Sequence, residues 1–248
     1  MGRFGGFRAG KRFILGGHTL VGARPVESIA DLDYTKAQGI WNMQSTMQFP
    51  KSQAPAAIEL VGTSSVFFGT LTCPEMVEND VLVYCAFNDN AQPSLPSAFT
   101  EIHSGNANTV GYAWGFKVMG ATPDTSIDVS TSEAVFAFAL RGVDTINPLD
   151  VTPPAVATGS LTGRPNPPMI TTATDGAFVV AVGFLDDDND DDADAPSGYT
   201  LIATDTATGT LVAAYRIMVT PGATDPAAFE GIGSDAWVGA IAAFRKAY

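Results

Sequence analysis

Seven aspartates occupy nine consecutive positions in the segment DDDNDDDAD, which begins at Asp186. Calcium takes hard oxygen ligands and carboxylates supply them, so Asp186, Asp188 and Asp190 are candidate metal ligands. An EF-hand loop that began at Asp186 would need glycine at Asp191 and glutamate at Ser197, and the sequence has neither. We therefore predict a solvated loop that is kept extended by its like charges, with a looser calcium site as the alternative.

Side chains for nucleophilic or zinc chemistry are sparse. The chain has two histidines, His18 and His103, whereas a histidine-based triad also needs a nucleophile and an orienting acid. No HExxH, paired CxxC, GxSxG or GxxxxGK(S/T) motif occurs. Cys73 and Cys85 are predicted to be small buried side chains, with a disulfide as the alternative. We expect no enzymatic activity and no cofactor, and a glycosidase with paired carboxylates is the alternative.

The charge is divided unevenly along the chain. The formal net charge is −13, yet the first 24 residues carry five basic side chains and no acid. An acidic body repels phosphates, so we expect the main domain not to bind nucleic acid. The basic N-terminal arm is predicted to bind a protein partner or a neighbouring copy, with nucleic-acid binding or a merely flexible end as alternatives. The predicted anchor residues are Arg3, Phe4, Phe7, Arg8, Lys11, Arg12 and, beyond the arm's basic part, Trp41.

The composition favours an all-β protein with a large core. Apolar residues make up 46% of the 248 residues and charged residues only 16%, and turn-forming residues punctuate the chain after about residue 60. The apolar run FIL near the N-terminus is too short for a secretory signal. No apolar stretch of about 18 residues occurs, so we expect no membrane span and a protein made in the cytoplasm.

An internal repeat organises the chain, with copies at about residues 74–144 and 168–247. Phe87 matches Phe184, and motifs match after it in the same order: PSAFT with PSGYT, FKVM with YRIM, and ALR with AFR. The spacing between matched positions stays between 97 and 104 residues, and such self-similarity indicates a duplicated structural unit.

Each copy holds four apolar, β-branched or aromatic runs separated by turn residues, which predicts eight strands, with a ninth from Ser64. We predict one β-sandwich or jelly-roll over residues 61–248, built from two pseudo-symmetric repeats. Two separate small domains are the alternative. The proline-rich linker 145–167 is predicted to lack regular structure. Residues 1–60 are predicted to form an extended arm with one short helix near residues 29–36.

The repeat also changes the interpretation of the aspartates. Between the matched phenylalanine and proline, the first copy has eight residues and the second has eleven. Both stretches are interpreted as the same hairpin connection, which the second copy enlarges with acidic residues. The fold therefore does not require the aspartates.

Several segments together resemble a known family. DVLVYCAF, LPSAFTEI, RGVDTINPLDV and WVGAIAAFR are similar to the duplicated β-sandwich module of tailed-bacteriophage virion structural proteins. The segment YTKAQGIWNMQ resembles the arm that precedes such modules. These are patterns of strands and turns, so they bear on fold more than on role.

The resemblance implies a non-enzymatic virion protein, made in the host cytoplasm and located in the particle. It favours a tail fibre or appendage subunit attached through its N-terminal arm, with a head decoration protein or a carbohydrate-binding host-adhesion module as alternatives. The implied partners are other virion proteins, further copies of the chain in a homo-oligomer such as a trimer, and a host surface glycan. Trp114, Tyr199 and Trp237 are the aromatic candidates for glycan contact, although core packing is the competing role.

Overall fold

The computed structural model describes residues 14–15, 18–19, 57–160, 163–186, 193–205 and 210–248. The chain divides into two compact units, Met1–Gln53 and Ala54–Tyr248. In the first unit, β1 (Ile14–Leu15) and β2 (His18–Thr19) pair antiparallel. The predicted helix near residues 29–36 lies outside the described residues.

The second unit is built from strands in the ranges that the structure describes, and these ranges contain no helix. In chain order the strands are β3 (Glu59–Phe67), β4 (Thr70–Thr72), β5 (Val81–Asp89), β6 (Thr100–Ala107), β7 (Val110–Val118), β8 (Ser126–Asp128), β9 (Ala134–Arg141), β10 (Ala157–Gly159), β11 (Ile170–Thr171), β12 (Ala177–Leu185), β13 (Thr200–Asp205), β14 (Thr210–Met218), β15 (Ala223–Thr224) and β16 (Trp237–Phe244). The all-β prediction is confirmed.

Two five-stranded antiparallel sheets form the framework. The first has the order β3-β9-β5-β7-β6 and the second has the order β10-β16-β12-β14-β13. Two further pairs, β4 with β8 and β11 with β15, lie outside these sheets.

The two sheets pack face to face around one apolar core. Alternate side chains of each sheet point into this core, including Trp114 and Phe136 from the first sheet. Aromatic rings meet across the interface, with centroids 5.6 Å apart for Tyr112 and Phe184. Alternation along each strand places successive side chains on opposite faces, and shared burial of the two inner faces defines a β-sandwich.

The outer face of each sheet is also covered, which explains the unbroken apolar runs in the sequence. On the first sheet, Leu82 and Tyr84 pack against Leu71 of β4 and Ile127 of β8. On the second sheet, Val212 packs in a cluster with Phe229 and Ile232. A strand that is buried on both faces shows no polar alternation, so its apolar run is continuous.

The connection from β5 to β6 is a crossover, and the hairpin interpretation was wrong. Strand β7 lies between β5 and β6 in the sheet. Thr100 at the start of β6 pairs with Phe116, which also pairs with Val83 near the start of β5. The connection must therefore return along the full length of β7. The same holds in the second sheet, where β14 separates β12 from β13.

Two glycines of β7, Gly111 and Gly115, leave room for the connection to pass over this strand. Leu95 and Phe99 of the connection pack on the outer cluster of the first sheet. A Cβ atom placed on Gly111 would lie 1.7 Å from the carbonyl oxygen of Ala91, and one on Gly115 would lie 3.0 Å from a methyl group of Leu95. Only a residue without a side chain lets the two backbones approach so closely.

The linker between the copies contains β10, which the sequence analysis did not predict. Strand β10 pairs antiparallel with β16 at the edge of the second sheet. Farther along the linker, Pro165 is buried and packs against Gly183, where a Cβ atom would lie 2.7 Å away. Proline tolerates this place because it is outside the hydrogen-bonded ladder.

The two sheets share one strand order and several local details. Strands β9-β5-β7-β6 in the first sheet correspond in chain order to β16-β12-β14-β13 in the second. Ala98 and Gly198, at the matched turns, have φ angles of 69° and 80°. The predicted repeat requires such equivalence, and the common origin of the two copies remains a prediction.

Candidate interaction surface

The predicted anchor residues of the arm lie outside the described residues, so their role stays a prediction. They are Arg3, Phe4, Phe7, Arg8, Lys11, Arg12 and Trp41. The charges of the two units can nevertheless be compared from the sequence. Residues 1–53 hold seven basic and three acidic side chains, a net charge of +4, and residues 54–248 hold six basic and 23 acidic side chains, a net charge of −17.

The structure places the first of the candidate metal ligands, Asp186, beside the other sheet. The hydroxyl of Thr109, in the turn between β6 and β7, donates to Asp186 Oδ2 at 2.6 Å. The backbone N–H of Asp186 donates to the carbonyl of Ala236 at 3.0 Å. Asp188 and Asp190 lie outside the described residues. Among the residues that are described, no three potential ligands group together in a way that would hold a metal ion.

The three aromatic candidates for glycan contact are engaged in packing. Trp114 is fully buried in the core between the sheets. The hydroxyl of Tyr199 lies 3.0 Å from the hydroxyl of Thr224. Trp237 is half-buried, and its indole nitrogen lies so close to Gly159 that a Cβ atom there would be 2.2 Å away.

The histidine and cysteine side chains that the structure describes are those of His103, Cys73 and Cys85. His103 stands in the edge strand β6, and burial lowers its pKa. Cys73 and Cys85 are both free thiols. Burial raises the pKa of both thiols, and for Cys73 the nearby Asp124 raises it further. A thiol with a raised pKa is a poor nucleophile because the thiolate is the reactive form.

An ion pair that the sequence analysis missed ties β5 to β9 at one end of the sandwich. Arg141 donates from Nε to Asp80 Oδ1 at 2.9 Å and from Nη2 to Asp80 Oδ2 at 2.7 Å. The N–H of Val77 also donates to Asp80 Oδ2, at 2.8 Å. The side chain of Asp80 is only 2% exposed, whereas that of Arg141 is 44% exposed. The carboxylate also raises the pKa of Arg141, so the guanidinium remains a fixed positive charge.

Two adjoining hollows lie on either side of Arg141, and together we call them the Arg141 groove. They have volumes of about 680 and 620 Å³ and share Val77 and Arg141. The lining residues are, in the first, Val61, Thr72, Cys73, Pro74, Glu75, Met76, Pro123, Asp124 and Thr125, and, in the second, Glu78, Asn79, Asp80, Gly142, Val143, Asp144, Thr145, Ile146, Ala247 and Tyr248.

The second hollow is bordered by large apolar side chains that face solvent. Val77 is 53% exposed, Ile146 is 85% exposed and Tyr248 is 78% exposed. Ile146 is held in place by an ordered turn, since Asp144 Oδ1 accepts hydrogen bonds from the N–H groups of Ile146 and Asn147. Apolar side chains gathered at one place on the surface are typical of an interaction site.

Sequence reasoning could not have found the groove, because its residues come from segments far apart in the chain. Asp80 and Arg141 are separated by 61 positions. The one available signal was RGVDTINPLDV, which the sequence analysis singled out for its resemblance and not for a surface role.

Comparison of the chain with protein-family models, with curated proteins and with solved structures gives no match. Within the described residues, no helix is long and apolar enough to cross a bilayer.

Proposed function

We propose that this chain is a non-enzymatic structural protein of a tailed-bacteriophage particle, a tail fibre or appendage subunit that attaches through its N-terminal arm. The observation that carries the proposal is the division of charge, with +4 on residues 1–53 and −17 on residues 54–248. Opposite charges on two parts of one chain favour association between copies, or docking of the basic part on an acidic platform.

The fold supports the same proposal. Two sheets with one strand order pack face to face, as the resemblance to duplicated virion modules leads us to expect. Both faces of each sheet carry packed apolar side chains, so the turns and loops at the two ends of the sandwich are left for contacts with partners. Such a sandwich suits repeated placement in a symmetric assembly.

The test is electron microscopy of tailed particles that carry the full-length chain with a gold-binding tag. We expect gold at the tail, and loss of gold when residues 1–53 are removed. A full-length control in which Arg3, Arg8, Lys11 and Arg12 are replaced by glutamine separates the effect of charge from that of length, and we expect it to be weakly incorporated. Gold on the head would instead support a decoration protein, and equal labelling without the arm would contradict the proposal.

A further inference from the structure

The Arg141 groove combines an apolar border with an acidic lining. Its lining includes five carboxylates and one cationic side chain, Arg141. Arg141 is paired with Asp80, and Lys117, which does not line the groove, is paired with Asp124. Glu75 and Glu78 are exposed. A ligand that fits this surface should therefore bring both positive charge and apolar side chains.

The N-terminal sequence has that composition. The segment RFGGFRAGKRF, residues 3–13, contains four basic side chains, three phenylalanines and no acid. The acidic sandwich contains six basic side chains over residues 54–248, and among them Arg141, Arg164 and Arg245 form ion pairs with carboxylates of the sandwich. Within this chain, segment 3–13 is the best complement to the groove.

The chain also enters the sandwich at the end where the groove lies. Glu59, the first residue of β3, pairs with Arg141. Ile58, immediately before it, is buried in the core. The first strand of the sandwich therefore begins at the end where the groove lies.

We propose that the Arg141 groove receives segment 3–13 of a second copy of this chain. The phenylalanines contact Val77, Ile146 and Tyr248 on the groove border, and the arginines and lysine lie near Glu75 and Glu78. The inference deepens the proposed function and rests on it, because it names the surface through which arms join neighbouring subunits.

The test measures self-association of the full-length chain by sedimentation velocity over a range of concentrations. We expect the wild-type chain to form dimers or larger species, and expect Glu78→Lys and Ile146→Ser each to weaken association by about tenfold or more. Matched controls away from the groove are Glu101→Lys and Val219→Ser, the latter at a side chain that is 79% exposed. We expect both controls to associate as the wild type does.

A mixing experiment tests whether the arm of one copy meets the groove of another. One chain carries Glu78→Lys and an intact arm, and the other carries Arg8→Glu and Arg12→Glu and an intact groove. Each alone should associate at least about tenfold more weakly than the wild type. At a concentration where each alone is monomeric, the mixture should form a dimer, because one intact arm can meet one intact groove. A wild-type chain that stays monomeric, groove variants that associate normally, or a mixture without dimer would overturn the inference.

The same variants separate this inference from the proposed function. Normal incorporation into particles by a chain whose groove variants still self-associate as the wild type does would contradict the groove as the receptor of the arm and leave the virion role standing. Self-association that depends on the groove, in a chain that never enters particles, would contradict the virion role and leave the groove contact standing.

Discussion

Replacing Gly111 by alanine tests how the β5–β6 connection crosses β7. A Cβ atom at this position would lie 1.7 Å from the carbonyl oxygen and 2.5 Å from the carbonyl carbon of Ala91. Ordinary contact begins near 3.4 Å, so the connection must move by about 1.7 Å. Both clashing atoms belong to the backbone, which has no rotamer to change. We expect a cost at the upper end of overpacking substitutions, about 3 kcal/mol in the free energy of unfolding.

The assay is equilibrium unfolding in urea together with a thermal scan. For a domain of this size, about 3 kcal/mol corresponds to a lowering of Tm by about 6–12 °C. The matched control is Gly120→Ala, because no heavy atom lies within 4 Å of a Cβ atom there, and we expect a change within about 0.5 kcal/mol. If the two variants were equally stable, the connection could not lie on Gly111, and the crossover would be refuted.

Three further predictions concern titratable side chains. Burial lowers the pKa of His103, so the unfolded state binds more protons, and the free energy of unfolding should fall as the pH drops below about 6.5 toward the folded pKa. Between pH 7 and 5.5, His103→Gln should lose less stability than the wild type, and equal losses would contradict this. Cys73 and Cys85 are free, so a thiol reagent should react with two thiols per chain after denaturation without reduction, and only slowly with the native protein. A count of no thiols in the denatured chain would indicate a disulfide. Burial raises the pKa of Tyr84 to about 12, so Tyr84 should contribute little to the alkaline difference spectrum below about pH 11. In that range the spectrum of Tyr84→Phe should match that of the native protein. If the variant instead lacked one tyrosine that the native protein titrates near pH 10, this burial would be contradicted.

The long strands could be predicted from the sequence because each is a run of β-branched, aromatic and small apolar residues bounded by turns. The runs at Val81–Asp89 and Ala177–Leu185 are examples, and both became central strands. The order of strands in a sheet leaves no such local mark. The β5–β6 connection was therefore interpreted as a hairpin, although β7 lies between the two strands.

Short outer strands escaped prediction for a different reason. Strand β8 has three residues, which is too short for a period of two to appear, and the ninth predicted strand from Ser64 is divided in the structure between β3 and β4. Strand β10 lies within the proline-rich linker and forms because β16 offers it an edge. In each case the partner strand, and not the local sequence, determines the structure.

The interaction surface was only partly predictable. The basic and aromatic character of residues 3–13 is visible in the sequence, and it predicted an anchor. The groove is not visible, because Asp80 and Arg141 meet only through the pairing of β5 with β9. Nothing in the sequence around Ile146 indicates that its side chain is exposed to solvent. The 85% exposure follows from the turn in which Asp144 accepts the N–H of Ile146.

Quantitative mass spectrometry of purified tailed particles tests the proposed virion role most directly. Particles would be prepared from cells that make either the full-length chain or the chain in which Arg3, Arg8, Lys11 and Arg12 are replaced by glutamine. We expect a fixed, integral number of full-length copies per particle, and a loss of most copies when the arm is neutralised. Absence of the full-length chain from purified particles, or equal incorporation of both chains, would contradict attachment through the basic arm.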